Sequence, residues 1–364
     1  MTLRILYISP ENTVGTLSLW KQIHESRGNE CKFVTLYEAK HDYDSGLCLN
    51  LPLIFTNNWY LKFRHKYYQH YRGKLGDYKE KIGFPPIWEP NTRFEKLYFQ
   101  FRDWIWRFYI EPAIKKHRLM EYDIYHFDWG MDLYRDSRFA KRIAKLGKPI
   151  VCTYHGQDMR TRGVIPEMDS LSQLNLTSEL DLLQKHPNIN YLFLPVDTNR
   201  FSPDYNVTNK IRICHSPTNR YYKGSETIIP ICERIALENK KVEFILIENE
   251  SYDDTLSIKQ SCDILVDQVH NRGGWGYGMN SVESLAMGLV CMTELVEPYK
   301  KFIPDHPFIH ITAETFETSL RKLISDPLAL IEKKKESKQW VEKYHGFKSV
   351  SFALYDYYKV NKWI

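Results

Sequence analysis

The chain has 364 residues, 43% hydrophobic and 26% charged, the proportions of a soluble globular protein with room for two ordinary domains. A net charge of +5 is too small to indicate nucleic-acid binding, and no apolar run approaches the ~20 residues that span a bilayer. Seven scattered cysteines without a CxxC pair argue against a zinc site or a disulfide framework and suit buried thiols in a reducing cytosol.

In chain order, Met1 leads into a predicted strand at 4–9 and not into a signal peptide, so a cytoplasmic location is expected. The turn Ser9-Pro10-Glu11-Asn12-Thr13-Val14-Gly15 enters a helix, and Gly15 is a candidate backbone contact for a phosphate; an ordinary strand-to-helix turn explains it equally well. A second strand is expected at 32–37. Residues 40–117 hold more aromatic and basic sequence than a crossover requires. Between 57 and 76 stand five cations, Lys62, Arg64, Lys66, Arg72 and Lys74, with no acidic residue. Trp59, Phe63, Tyr67 and Tyr71 fall every fourth residue and share one helical face. That stretch is either core or a peripheral membrane contact at the inner face, since Lys and Arg beside Trp and Tyr suit anionic headgroups. Phe94, Leu97, Tyr98, Phe101, Trp104, Ile105 and Phe108 form a second stripe, expected to pack on the N-terminal sheet.

Strands come next at 123–127, 149–153 and 191–194, then, after a break at 195–209, at 211–215, 242–246, 263–266, 289–293 and 308–311. Strands alternating with helical segments predict an α/β architecture with parallel sheets in two Rossmann-like domains. Ligands of such sheets sit beyond the carboxyl ends of the strands, which singles out the residues there. His155 and Gly156 follow the strand at 149–153, with Asp158 a candidate helix cap. Arg220 and Lys223-Gly224 follow the strand at 211–215, and Asp267-Gln268 end the one at 263–266. Gly274-Trp275-Gly276-Tyr277-Gly278 then runs into a helix beginning Met279-Asn280-Ser281-Val282-Glu283. Glycine permits close backbone approach, a helix N-terminus offers unpaired amides to phosphate, and a carboxylate one turn in suits a ribose hydroxyl.

This last stretch resembles the retaining GT-B glycosyltransferases of the family 4, group 1 type, which include sucrose and glycogen synthases and many bacterial transferases of polysaccharide biosynthesis. Their signature is two glutamates followed by small residues and Gly-x-Pro-Val. Glu283 matches the second glutamate, and Leu285 to Val290 match the small-residue and glycine segment after it. Trp275, eight positions before Glu283, stands where the first glutamate belongs. Lys223-Gly224 is similar to the family's Lys-Gly, with Arg220 substituting for an arginine expected where Thr218 stands. His155-Gly156 is similar to its His-Gly, and Leu194 to Pro203 to its interdomain strand end.

The resemblance implies two Rossmann-like domains facing across a cleft, an acceptor-side domain at 1–200 and a nucleotide-sugar-binding domain at 201–346, with 347–364 crossing back to the first. It implies transfer of a sugar, with retention and without metal or cofactor, from a nucleotide-diphosphate donor to a hydroxyl of a glycan or lipid-linked acceptor. His155, Lys223 and Arg220 would be catalytic. Gly15, Gly278, Met279, Asn280, Ser281 and Glu283 would bind the donor, and Trp275 would line the sugar subsite. The alternative is an inactive nucleotide-sugar-binding or scaffold subunit partnering an active transferase, because an indole cannot act as the missing carboxylate.

Overall fold

The computed structural model describes residues 2–39, 43–54, 82–90, 92–156, 158–206, 210–270, 272 and 275–364, with Thr161 by its backbone alone. The predicted helix face carrying Trp59, Phe63, Tyr67 and Tyr71 lies outside the described residues. The chain forms two compact units, Met1–Leu192 with Tyr357–Ile364, and Phe193–Asp356.

The first unit is a seven-stranded, wholly parallel sheet in the order β3-β2-β1-β4-β5-β6-β7. Its strands are β1 (Arg4–Ser9), β2 (Glu30–Thr35), β3 (Leu47–Cys48), β4 (Ile124–Asp128), β5 (Ile150–Tyr154), β6 (Leu174–Thr177) and β7 (Ile189–Tyr191). β4 and β6 are buried along their whole length, as befits a parallel sheet covered on both faces. Leu6, Ile8, Val34, Phe127, Ile150 and Cys152 form the core with Trp106, Ile110 and Ile114 from the helix Arg93–Lys116. That helix starts at Thr92, whose Oγ1 accepts Glu95 N at 3.1 Å. Its buried face is not the expected stripe. Phe94, Leu97, Phe101, Trp104 and Phe108 point to solvent, because Arg102, Asp103, Trp106, Ile110 and Ile114 occupy the side against the sheet. Arg102 satisfies Asp103 there at 2.7 Å and lies 3.8 Å from the Trp106 ring, which makes a charged pair tolerable in the core.

The last helix, Phe347–Val360, begins in the second unit, and its final turn belongs to the first. Tyr358 Oη lies 2.6 Å from His126 Nε2 on β4; His126 stacks on Tyr7 at 4.3 Å, and Tyr7 Oη lies 3.0 Å from His24 Nε2. Burial pushes His24 down to about 3 and His126 well below the usual histidine range, so both are neutral.

The second unit is a five-stranded parallel sheet in the order β12-β11-β10-β8-β9. Its strands are β8 (Ile211–His215), β9 (Val242–Leu246), β10 (Ile264–Gln268), β11 (Val290–Thr293) and β12 (Ile309–His310). Ile213, Val266, Val290 and Met292 pack with Ile228, Phe316, Leu320 and Leu330 from the covering helices. All seven cysteines are free, and only Cys48 is not buried.

In each sheet the strand order reverses once, between β1 and β4 in the first unit and between β8 and β10 in the second. Such reversals open a crevice at the carboxyl ends of the flanking strands. A cluster of charged side chains stands at each of these two points.

Candidate active site

In the first unit, β1 ends at Ser9 and β4 at Asp128, side by side at the reversal. Ser9 Oγ lies 3.0 Å from Asp128 Oδ2, and Asp128 Oδ1 lies 2.8 Å from Nε2 of His155, just past the end of β5. Asp158 Oδ2 accepts the His155 amide at 2.9 Å, so this carboxylate braces the histidine turn. Its Oδ1 is buried without a hydrogen-bond partner among the described residues. Burial works to lower the His155 pKa, but Asp128, Asp158 and Glu179 outweigh it and raise it to about 9. His155 is therefore an imidazolium at neutral pH, a quarter exposed, held against a buried carboxylate.

Gly156 is required here by space. A Cβ at that position would fall 1.8 Å from Arg160 Nη1, and the guanidinium cannot retreat because Asp181 holds it bidentately at 2.6–2.8 Å while Glu179 takes its Nη2. Glu179 also accepts the Gly156 amide at 2.8 Å. At Gly15 the φ of +73° puts the turn in the left-handed region, and a Cβ would meet the Tyr43 ring at 3.0 Å. The first free amides beyond it are partly used: Asn12 Oδ1 accepts Leu17 N at 2.9 Å. Sequence reasoning did not single out Asp128, Arg160, Glu179 or Asp181. Asp128 carried a signal, a carboxylate one residue past a predicted strand.

In the second unit, Lys223 closes a single helical turn, Arg220–Lys223, capped by Asn219, whose Oδ1 accepts the amides of Tyr221 and Tyr222. Gly224 follows at φ +70°, and a Cβ there would fall 2.2 Å from Val269 O, so the motif's glycine lets this turn lie on the end of β10. Lys223 Nζ is 2.7 Å from Asp267 Oδ1 and 3.5 Å from Gln268 Oε1. Asp267 also accepts from Asn280 Nδ2 at 2.8 Å and from Ser281 Oγ at 2.7 Å. Burial works to raise the Asp267 carboxyl, but Lys223, Ser281 and Asn280 prevail and hold it below the usual range. Arg220 is more exposed and pairs with Glu248 through Nε at 2.7 Å and through Nη2. His215, at the end of β8, bridges Val266 O and Ser225 Oγ and is wholly buried, a structural residue.

The loop entering the next helix is pinned at three consecutive residues. Trp275 O accepts Val296 N at 3.2 Å, Gly276 O accepts Gln268 Nε2 at 3.0 Å, and Tyr277 Oη lies 3.0 Å from His345 Nε2. Gly276 packs flat on Tyr299, where a Cβ would fall 2.5 Å from the ring. The Trp275 side chain is half-buried. Gly278 precedes the helix Met279–Ala286, whose first turn has no side-chain cap among the described residues, as an anion site of backbone amides requires. The side chains of Asn280 and Ser281 turn inward to Asp267, and Met279 is buried. Donor binding at these positions would thus be by backbone alone.

Glu283 is buried, with Oε2 paired to the buried Lys259 and Oε1 accepting the Tyr252 hydroxyl at 2.8 Å. Lys259 also reaches Asn280 Oδ1 at 3.1 Å, which ties the carboxylate to the helix start. A carboxylate accepts about four hydrogen bonds, so lone pairs remain for a ligand hydroxyl. Lys259 and Tyr252 were not foreseen; a lone lysine on a short helix reads as solvated. Of the sequence candidates, Gly15 and His155 thus stand in the first unit and Arg220, Lys223, Trp275, Gly278, Met279, Asn280, Ser281 and Glu283 in the second. Among the described residues no cluster of His, Cys, Asp or Glu is arranged to hold a metal ion.

No protein-family model matches the sequence, and no curated protein matches it. Solved structures do match in fold. Anabaena HepE in complex with UDP-glucose superposes with a TM-score of 0.57 at 10% identity, over 98% of this chain and 100% of that one. The S. aureus MnaA–UDP complex superposes at 0.52 and 10% identity, over 99% and 97%. The architecture of two parallel α/β sheets is therefore the GT-B arrangement, shared along essentially the whole chain.

Proposed function

We propose that the chain transfers a glycosyl group, with retention and without a metal ion, from a nucleotide-diphosphate sugar to a hydroxyl of a glycan or lipid-linked acceptor. The observation that carries it is the end of β10. There Lys223, anchored on Asp267, stands in one hydrogen-bonded cluster with the uncapped helix start beyond a pinned glycine-rich loop. A cation beside oriented amides suits a diphosphate whose charge grows as the sugar departs. That the same fold holds UDP-glucose in HepE and UDP in MnaA supports a nucleotide donor.

In this reading the second unit holds the donor. Lys223, Arg220 and the amides of Met279–Ser281 take the diphosphate, Glu283 the ribose, and Trp275 stacks on the sugar. In the first unit Gly15 contacts the donor through its backbone, and His155 serves the transferred sugar and the acceptor. His155 is already protonated at neutral pH, so it donates a hydrogen bond and does not accept the acceptor's proton. That favours departure and attack on one face. The bond from the anomeric carbon to the phosphate oxygen breaks, the acceptor oxygen bonds to that carbon, and the leaving phosphate oxygen takes the proton. The stretch 57–76 would hold the protein at the inner face of a membrane when the acceptor is lipid-linked.

The test is a panel of nucleotide sugars assayed for hydrolysis and transfer, with the product's anomeric configuration read by NMR. Turnover with retention is expected. An inverted product overturns retention. A protein that binds nucleotide sugars, turns over none and associates with a second transferase is the scaffold subunit instead, the reading that Trp275 in a glutamate's place favours.

A further inference from the structure

The helix Arg93–Lys116 presents an outer face that neither charged cluster employs. Phe94 is 78% exposed, Leu97 63%, Phe101 56%, Trp104 52% and Phe108 57%. At 3.6 residues per turn these five side chains fall within an arc of about 80° and make one ridge along some fifteen residues. The rings touch one another: Phe101 stacks on Trp104 with centroids 6.1 Å apart, and Trp104 meets Phe108 edge-on at 5.4 Å. Exposed aromatic area of this extent on one element marks an interaction surface.

The charges on the helix identify the occupant. Its exposed ionic residues are Arg93, Lys96, Arg107, Lys115 and Lys116, all cations. Its three carboxylates are withdrawn. Glu95 and Asp103 are buried, the latter on Arg102, and Glu111 is held by Arg142 Nη1 at 2.9–3.0 Å. On a helical projection Arg93, Lys96 and Arg107 lie along one side of the ridge, and Arg107 lies 5.5 Å from the Phe108 ring. An exposed ridge of Trp, Phe and Leu with three cations along one side, where the neighbouring Glu111 is neutralised by Arg142, is complementary to the headgroup region of an anionic bilayer, where rings enter the interface and cations meet phosphates. No helix of the described residues is long and apolar enough to cross a membrane, so the contact is peripheral.

We propose that this face of Arg93–Lys116 seats the protein on an anionic lipid surface. The test sediments the full chain with phosphatidylcholine vesicles and with equal parts phosphatidylcholine and phosphatidylglycerol. Wild type pellets with the mixed vesicles only, and less as salt rises. F101S/W104S/F108S, all at exposed positions, keeps the wild-type melting temperature and loses at least tenfold in vesicle affinity. R93Q/K96Q/R107Q loses about a hundredfold at low salt, since each cation near the surface contributes about 1 kcal/mol. The proposal is overturned by absence of pelleting, by equal pelleting with neutral vesicles, or by an unaffected aromatic variant. It is equally overturned if only replacement of Lys62, Arg64, Lys66, Arg72 and Lys74 abolishes binding, or if the aromatic variant merely dissolves a dimer of this chain. Vesicle binding is read without any sugar donor, so its outcome and that of the transfer assay are independent.

Discussion

Lys223 Nζ lies 2.7 Å from the buried Oδ1 of Asp267, and the same carboxylate gathers the side chains of Asn280 and Ser281. The lysine proposed for the diphosphate is thus positioned by a buried carboxylate. Lys223→Ala should lower kcat by more than it weakens binding of free UDP, because the lost charge acts mainly as the diphosphate departs. It should also destabilise the protein by up to about 3–5 kcal/mol, since the buried Asp267 keeps Asn280 and Ser281 but loses its counter-charge. Asp267→Asn keeps the shape and releases the lysine, so it should cost kcat with a smaller drop in Tm. Steady-state kinetics and thermal melting check both, and wild-type kcat in Lys223→Ala would remove the residue from the mechanism.

Glu283 holds Lys259 and is proposed to hold the ribose, two roles that two substitutions separate better than one. Glu283→Ala should weaken the nucleotide by roughly ten- to a hundredfold, the worth of one charged hydrogen bond, and should lower Tm because Lys259 loses its buried partner. Glu283→Gln retains an acceptor for the ribose but not the ion pair, so its loss should appear more in Tm than in affinity. Calorimetry with UDP decides the matter. Unchanged affinity in both variants would leave Glu283 as support for the helix start alone.

His155 sets a pH limit. Its pKa is about 9 in the fold against about 6.5 unfolded, so its pairing contributes stability in full below pH 6.5 and loses it as pH rises through 9. If the imidazolium donates a hydrogen bond as proposed, transfer should fall around pH 9, where the folded protein loses that proton. The pH–rate profile of His155→Gln should lack this alkaline limb at a reduced plateau. A limb that persists in the variant assigns it to another group.

Trp275 distinguishes a working transferase from a binding subunit. Trp275→Ala should damage transfer while leaving UDP affinity nearly intact if the indole serves the sugar as proposed. Trp275→Glu supplies the glutamate of the family that the sequence resembles yet places a carboxylate in a half-buried site that holds a ring, so activity should fall rather than rise. Gain of turnover in Trp275→Glu would show that the wild-type chain had lost catalysis at this position.

The sheets were legible because parallel strands buried on both faces appear as apolar runs. Those at 4–9, 211–215 and 242–246 are found with the bounds the sequence predicts, and most others within two residues. β6 escaped notice because Leu174–Thr177 is four residues long with polar Asn175 inside it, and β3 is only Leu47–Cys48. The helix Arg93–Lys116 was misjudged because an aromatic stripe usually marks the buried side. Here Arg102 and Asp103 neutralise each other inside, which frees the aromatic side for solvent, and no periodicity records such a pairing. At the sites, motif glycines and Lys223 were readable from spacing. Asp128, Glu179, Arg160 and Lys259 were not, since their partners lie 19 to 27 residues away along the chain.

Tyr358, bonded to His126 in the middle of the first sheet, has a consequence for biosynthesis. A ribosome must translate all of Phe193–Asp356 before the residue that completes the first unit emerges. Until then His126 lacks the Tyr358 hydroxyl, although β1, β4 and β5, which surround it, were all made first. A nascent chain stalled before Tyr358 would thus present to chaperones a first unit whose buried His126 still lacks this partner.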